Sequence, residues 1–225
     1  MRQNKDGNCC CEENGKVLGI TGGVGAGKST VLSYLRKQYG ARILEADRIG
    51  HLVQQPGELC WKHIIETFGN EILAEDGTID RGRLGAIVYA DRKKMEQLNA
   101  IVHPAVKKRI LEEIASFRAQ TLAEDFLVIE AALLLEDHYD DICDEVWYIY
   151  ADESTRAKRL MGSRGYSPEK IRQIMQNQLR EEEFRRRCQV VIDNSREDMT
   201  CTCAQIDERI KKLFPKCTIE SYRNA

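Results

Sequence analysis

The sequence lacks any segment long and apolar enough to cross a membrane. Its longest near-apolar run covers residues 126–135 and is interrupted by Glu130, whereas a membrane-spanning helix needs about 20 apolar residues. The first fifteen residues are polar and charged and contain no apolar stretch of the kind that secretory signals carry. These absences argue against a membrane anchor and a signal peptide, and we expect a cytoplasmic protein that does not bind membranes.

The usual patterns of zinc sites and disulfide frameworks are also missing. The chain has no Cys-x-x-Cys pair and no His-Glu-x-x-His motif, which are the common signatures of structural and hydrolytic zinc sites. Its nine cysteines are odd in number, and Cys9, Cys10 and Cys11 are adjacent, an arrangement that argues against a disulfide framework. We expect reduced thiols and no structural zinc.

The chain has no excess of charge of one sign. Its 34 Lys and Arg residues against 36 Asp and Glu give a net charge of -2, which argues against a general nucleic-acid binder. The arginine run at residues 185–187 follows a glutamate run at 181–183, and such mixed blocks usually form a solvated helix face. With 42% hydrophobic and 31% charged residues over 225 positions, the composition is typical of a globular protein with one large domain.

Five short apolar runs predict strands separated by helical segments. The runs cover residues 17–21, 42–46, 126–131, 145–151 and 189–193. They are nearly continuously apolar and do not alternate with polar residues, which is typical of a parallel sheet covered by helices on both faces. The predicted fold class is therefore α/β with a five-stranded parallel sheet.

A glycine-rich loop follows the first predicted strand and precedes a helix. Its residues Gly22-x-x-x-x-Gly27-Lys28-Ser29 match the Walker A pattern, in which backbone N–H groups and the positive end of a helix face a polyphosphate. In this pattern Lys28 neutralises the β- and γ-phosphates and the Ser29 hydroxyl helps to hold Mg²⁺. We predict that ATP is a co-substrate, bound by Gly22, Gly23, Val24, Gly25, Ala26, Gly27, Lys28, Ser29 and Thr30.

The connections between the strands predict three regions. Residues 16–50, 126–153 and 185–215 carry the strands and form a nucleotide-binding core. Residues 51–125 exceed what one crossover helix requires and predict a helical insertion. Residues 154–184 are interrupted by Gly162, Gly165 and Pro168 and predict a mobile lid. We expect a disordered extension over residues 1–15 and a loose tail over 216–225.

Two carboxylates end predicted strands, where ligands of doubly wound sheets gather. Asp47 follows the second strand and is a candidate to accept the proton of an acceptor hydroxyl or to help order Mg²⁺, and the less favoured alternative is a cap for the helix beginning near Arg48. Glu130 ends the third strand and is a weaker candidate near Mg²⁺, which is held mostly by phosphates and water.

The predicted lid is locally basic, with ten Lys and Arg against six Asp and Glu in residues 151–190. Its arginines 156, 159 and 164 are candidates to close over the triphosphate and stabilise the charge of the transferred phosphoryl group, or alternatively form a solvated helix face. His103 lies before Pro104, which predicts an extended backbone and a break between two helices.

An ordered series of motifs connects residues 16 to 214 with one group of P-loop kinases. The motifs are residues 19–30, Ala46-Asp47, Pro56-Gly57, Phe68-Gly69, residues 76–81, Leu98-Asn99, His103-Pro104, Leu133-Leu134-x-Glu136 and Asp193-Asn194. In these motifs the chain resembles the dephospho-CoA kinase family. It departs from the family pattern at Glu45, at Ala131-Ala132 and at Cys188-Gln189.

The resemblance implies a P-loop kinase that phosphorylates the ribose 3′-hydroxyl of dephospho-CoA with ATP, the last step of coenzyme A biosynthesis. It implies that Asp47 is the base toward that hydroxyl and that Arg159 contacts the phosphates during transfer. Arg156 and Asn194 are candidates to bind ATP. It also implies that the insertion, residues 51–125, binds the acceptor, and that Arg81 and His103 are candidates to contact dephospho-CoA or to shape its site.

Two alternative functions remain open at this level. The same machinery serves kinases with other acceptors, such as a nucleoside monophosphate, and a non-catalytic ATP-binding regulatory protein would also carry the loop. A GTPase is disfavoured because the Asn-Lys-Asp string at residues 4–6 precedes the loop, whereas the base-reading element of GTPases follows the fourth strand. The sequence does not reveal the oligomeric state.

Overall fold

The computed structural model describes residues 15–120 and 125–214. The five strands within these ranges are β1 (Lys16–Thr21), β2 (Arg42–Glu45), β3 (Phe126–Glu130), β4 (Glu145–Tyr150) and β5 (Val190–Asp193). They form one parallel sheet in the order β2-β3-β1-β4-β5. The predicted α/β fold class is therefore confirmed. Apart from Gly15, the predicted extension lies outside the described residues, and so does the predicted tail.

α-Helices lie in every connection between successive strands except that from β3 to β4, which contains turns and a short 3₁₀ turn. They are α1 (Lys28–Tyr39), α2 (Ala46–Leu52), α3 (Leu59–Phe68), α4 (Arg81–Ala90), α5 (Arg92–Gln120), α6 (Glu153–Arg164), α7 (Pro168–Gln176), α8 (Glu181–Arg187) and α9 (Thr200–Leu213), with short 3₁₀ turns at Asn70–Ile72 and Asp140–Ile142. Helix α2 spans the boundary between the predicted core and the predicted insertion, α3 to α5 lie in the insertion, and α6 and α7 lie in the region of the predicted lid. Within the described ranges, we find no helix with the length and apolar character that a membrane span requires.

Side chains of the central strands enter two separate cores, one on each face of the sheet. Val17 and Leu127 pack with residues of α2 to α5, whereas Leu18, Ile20 and Val128 pack with residues of α1 and α9. Because successive strand residues point to opposite faces, a strand covered on both sides needs apolar residues at every position. This requirement explains the uninterrupted apolar runs of the sequence.

Helix α1 begins directly after the glycine-rich loop. Val31, Leu35 and Tyr39 form its buried stripe, which holds the helix against the sheet. Gly40 ends the helix in the left-handed conformation with φ of 65°, and its N–H bonds to the last turn. The loop is thereby fixed between a buried strand and a packed helix.

The predicted break between two helices at His103-Pro104 is wrong, because both residues lie within the single helix α5. The helix runs without interruption from Arg92 to Gln120 with Pro104 in its interior, although proline provides no N–H for the helical ladder. Tertiary packing explains the continuity, because Ile101 and Val102 before the proline and Val106 after it all contact the same core. The burial of this face offsets the lost hydrogen bond.

Five cysteines of the described ranges, Cys60, Cys143, Cys188, Cys201 and Cys203, are free. Burial raises the pKa of Cys143 and of Cys188 to about 12. Buried thiols of this kind behave as small apolar side chains.

Candidate active site

The glycine-rich loop is closed by one of its own side chains. Nζ of Lys28 donates a hydrogen bond to the carbonyl oxygen of Gly22 at 2.8 Å. Gly27 has a φ of 86°, and a Cβ at this position would lie 2.3 Å from Nδ2 of Asn194. Both the backbone conformation and the close approach therefore require glycine.

Side chains from outside the loop hold its carbonyl groups. The oxygen of Ala26 accepts hydrogen bonds from Nδ2 of Asn194 at 2.8 Å and from a guanidinium nitrogen of Arg159 at 3.3 Å. Asn194 is buried, and its side-chain oxygen accepts from the hydroxyl of Thr202 at 3.1 Å. These contacts fix the orientation of the Ala26 carbonyl group and thereby the shape of the loop.

A cavity of about 400 Å³ and another of about 730 Å³ lie at the carboxyl ends of the strands. The larger one, which we call the loop cavity, has the size expected of a small-molecule site. Its lining combines loop residues with acidic and basic side chains, among them Lys28, Ser29, Thr30, Asp47, Glu130, Arg159, Arg164 and Asn194. The predicted ATP-binding residues Gly23, Val24, Gly25 and Gly27 also line it.

The charged groups of the loop cavity influence each other. Burial lowers the pKa of Lys28, while the Glu130 carboxylate opposes this shift and Arg156 adds to it. Burial also raises the pKa of Glu130, against the attraction of Lys28. A bound polyphosphate would complement this ammonium group, which has little solvent to stabilise its charge.

Asp47 lines both cavities. It lies in the first turn of α2, whose N-cap residue is Glu45, so the alternative interpretation of Asp47 as a helix cap is wrong. The smaller cavity, which we call the insertion cavity, is lined by α2, α5 and the segment after β3 through residues that include Gln54, His103, Val106, Leu133 and Tyr139. A carboxylate thus stands where a nucleotide site and a second site meet.

A histidine and an aspartate form a pair on the wall of the insertion cavity. Nδ1 of His103 lies 3.2 Å from Oδ1 of Asp137, and both residues line the cavity. His103 comes from α5 and Asp137 from the segment after β3. The sequence analysis did not identify Asp137, because a single aspartate in a connecting segment belongs to no motif.

Two other predicted site residues differ in where they lie. Arg156 belongs to α6 and contacts the loop, because its Nε donates a hydrogen bond to the carbonyl oxygen of Val24 at 2.9 Å. Gln178, which the sequence analysis also missed, contacts both of these residues. Arg81 begins α4, is exposed and lines neither cavity. Its role as an acceptor-binding residue stays a prediction.

Oxygen donors suited to Mg²⁺ are present at the loop cavity. The Ser29 hydroxyl and the Glu130 carboxylate both line it, and Mg²⁺ prefers such ligands. The described ranges contain no group of three or more His, Cys, Asp or Glu side chains able to hold a metal ion. The residues therefore fit an ion that brings phosphate and water ligands with it.

Comparisons with known proteins agree with this geometry. A family model described as dephospho-CoA kinase matches residues 16–199. A dephospho-CoA kinase of Carboxydothermus hydrogenoformans is 39% identical over 179 residues, which are 80% of this chain and 85% of the relative. A dephospho-CoA kinase of Syntrophus aciditrophicus is 38% identical over 213 residues, which cover 92% of this chain and 87% of the relative.

Solved structures show the same architecture. A Thermus thermophilus protein superposes with a TM-score of 0.70 at 26% identity, covering 91% of this chain and 99% of its own. A dephospho-CoA kinase from Campylobacter jejuni superposes with a TM-score of 0.67 at 22% identity, covering 89% and 98%. With its phosphate loop, its paired cavities and these relatives over most of its length, the chain belongs to the dephospho-CoA kinase family.

Proposed function

We propose that this chain transfers the γ-phosphoryl group of ATP to the ribose 3′-hydroxyl of dephospho-CoA and forms ADP and coenzyme A. The observation that carries the proposal is the position of Asp47, whose side chain lines the loop cavity and the insertion cavity together. Phosphoryl transfer needs a donor and an acceptor held in line, with a proton-accepting group beside the acceptor hydroxyl. Membership in the family supports this choice of substrates.

In the proposed reaction, ATP lies in the loop cavity and its phosphates contact the loop N–H groups and Lys28. The acceptor lies in the insertion cavity with its 3′-hydroxyl next to Asp47. The bond from the 3′-oxygen to the γ-phosphorus forms while the bond from that phosphorus to the β,γ-bridging oxygen breaks. The hydroxyl proton passes to the Asp47 carboxylate.

Arg159 and Arg164 are the groups we assign to the charge that develops on the transferred phosphoryl. Both line the loop cavity, and guanidinium groups match the geometry of phosphate oxygens. Arg159 is already directed at the loop by its hydrogen bond to Ala26. When bound, Mg²⁺ would be held by Ser29 and Glu130 and would neutralise negative charge on the β- and γ-phosphates.

The domain division follows from the same assignment. We propose residues 16–50, 126–153 and 185–215 as the nucleotide-binding core, residues 51–125 as the acceptor-binding insertion and residues 154–184 as a lid that excludes water on closing.

We also propose a cytoplasmic site of action without a nucleic-acid partner. The net charge of -2 supports the absence of a nucleic-acid partner.

The test is the release of ADP by the purified chain with Mg·ATP and one of five acceptor conditions: dephospho-CoA, AMP, CMP, UMP or none. We expect turnover that depends on dephospho-CoA and a product one phosphoryl group heavier by mass spectrometry. Turnover with only another acceptor would support kinase activity but contradict the proposed substrate. The absence of turnover with every acceptor would favour a regulatory ATP-binding protein.

A further inference from the structure

Gln178 contacts the phosphate loop from the segment between α7 and α8. Its Oε1 accepts a hydrogen bond from a terminal guanidinium nitrogen of Arg156 at 2.5 Å and another from the backbone N–H of Val24 at 3.3 Å. Positions 24 and 178 are 154 residues apart in the chain. One uncharged side chain therefore links a lid helix, the loop and the α7–α8 segment.

Together, Gln178 and Arg156 engage both backbone groups of Val24. Oε1 of Gln178 accepts a hydrogen bond from the N–H of Val24, while Nε of Arg156 donates to the carbonyl oxygen of Val24 at 2.9 Å. The guanidinium also lies directly against Gly23, where a Cβ would be 2.5 Å from the central guanidinium carbon. The first half of the loop is thus held from outside by a charged group that Gln178 orients.

The second half of the loop has separate supports. Arg159 and Asn194 both donate to the carbonyl oxygen of Ala26, whereas the Gln178 side chain bonds to Val24 and Arg156. Loss of Gln178 would consequently free Arg156 and the Val24 peptide while leaving the contacts to Ala26 in place. The two halves of the loop can be tested independently.

We propose that Gln178 is a positioning residue for the nucleotide site. It orients Arg156 and fixes the Val24 peptide, so that the loop has its binding shape before ATP arrives. Gln178 is not among the residues that line the loop cavity, and its oxygen is already engaged by two donors, so it acts through the loop and not by contact with the phosphates. The inference rests on the proposed function only in taking ATP as the ligand of the loop.

Equilibrium binding of ATP in the absence of any acceptor tests this role. Gln178→Met keeps the length of the side chain and removes its hydrogen-bonding oxygen. We expect ATP binding to weaken about tenfold, as the loss of preorganisation by one charge-assisted and one neutral hydrogen bond implies. Binding of dephospho-CoA without ATP should not change. Gln176→Met, at the exposed end of α7, is the matched control and should bind ATP like the unaltered chain.

A double variant with Arg156 distinguishes a positioning role of Gln178 from a general effect of the substitution on the structure. In an Arg156→Met background, Gln178→Met should weaken ATP binding by clearly less than in the unaltered chain, because only its hydrogen bond from the Val24 N–H is then left to lose. An unchanged ATP affinity in the single Gln178→Met variant would overturn the proposal. A loss of equal size in both backgrounds would overturn it as well.

A folding defect is controlled by thermal unfolding of each variant. If Gln178→Met does not fold, Gln178→Asn is measured in the same way, since its shorter amide cannot span the same contacts. Weakened ATP binding by folded Gln178→Asn supports the proposal, and unchanged binding overturns it. A chain that binds ATP but does not turn over dephospho-CoA would contradict the proposed function and leave this inference standing.

Discussion

The ammonium group of Lys28 donates to the carbonyl oxygen of Gly22 at 2.8 Å, so that the two ends of the glycine-rich loop are joined through a side chain. Burial lowers the pKa of Lys28, and the Glu130 carboxylate opposes the shift. The positive charge is therefore held inside the loop in a place with few water molecules to stabilise it. An incoming phosphate would supply the counter-charge that the single carbonyl cannot provide.

Replacing Lys28 by Ala should lower turnover by a factor on the order of 10² to 10³, the usual loss when one group that stabilises transition-state charge is removed. The fold should remain, because the apolar stripe of α1 is unaltered. Lys37→Ala in the exposed last turn of the same helix is the control. Steady-state ADP release measures both, and normal turnover by Lys28→Ala would refute the assignment.

Replacing Asp47 by Asn should lower kcat by roughly 10² to 10⁴, because the amide cannot accept the proton of the hydroxyl. ATP affinity should change little, since the phosphates are bound by the loop. Rapid-quench turnover and equilibrium ATP binding distinguish the two effects. Asp141→Asn, an exposed carboxylate outside both cavities, should be neutral. An equal loss of ATP binding would make Asp47 a nucleotide ligand instead of a base.

Replacing Gly27 by Ala should weaken ATP binding by at least about tenfold, because a non-glycine residue at positive φ is strained and its Cβ would displace Asn194. Gly162→Ala in α6 offers a matched control. A Cβ there meets nothing within 4 Å and φ is not positive, so this change should leave binding intact and favour the helix slightly. Equal ATP affinities of the two variants would disprove the argument.

Replacing His103 by Gln, or Asp137 by Ala, should raise KM for dephospho-CoA about tenfold while KM for ATP stays constant. Both residues line the insertion cavity, and the aspartate fixes the orientation of the imidazole ring. Initial rates at varied concentrations of each substrate provide the measurement. His63→Gln, on the exposed side of α3, serves as the control. A change confined to KM for ATP would contradict the placement of the acceptor.

Asp152 should make the stability of the chain depend on pH. Its side chain caps α6 by accepting from the N–H of Thr155 at 2.9 Å and from the hydroxyls of Ser154 and Thr155, and these bonds hold its pKa below the ordinary 3.8. The native state then favours the charged form, so its stabilisation is complete above pH 3.8 and is lost as the pH falls through the lowered pKa.

Thermal unfolding of Asp152→Ala from pH 3 to pH 7 checks this dependence. The variant should melt below the unaltered chain at pH 7, and the difference should shrink below about pH 4, because the carboxylate then takes up a proton in the unfolded chain while the native one stays charged. Asp152→Asn retains a capping oxygen and should melt between the two at pH 7. A difference that stays constant over the whole range would exclude the proposed linkage.

Local chemistry explains which parts of the molecule were predictable. The glycine-rich loop and the parallel sheet follow from glycine spacing and continuous apolar runs. The predicted helix break at Pro104 is wrong because packing of the residues before and after it outweighs the tendency of proline to interrupt a helix. Gln178 and Asp137 were not identifiable because their partners, Val24 and His103, are distant in the chain and only the fold brings them together.

The two cores, one on each face of the sheet, determine which parts of the molecule a substitution affects. Val106 and Tyr139 line the insertion cavity and belong to the core on one face of the sheet, whereas Ala26 and Val31, at the phosphate loop, belong to the core on the other. Substitutions that reshape the insertion cavity therefore disturb packing on the face of the sheet away from the glycine-rich loop. With the acceptor in that cavity, as we propose, acceptor preference and ATP use could be redesigned as separate traits of one chain.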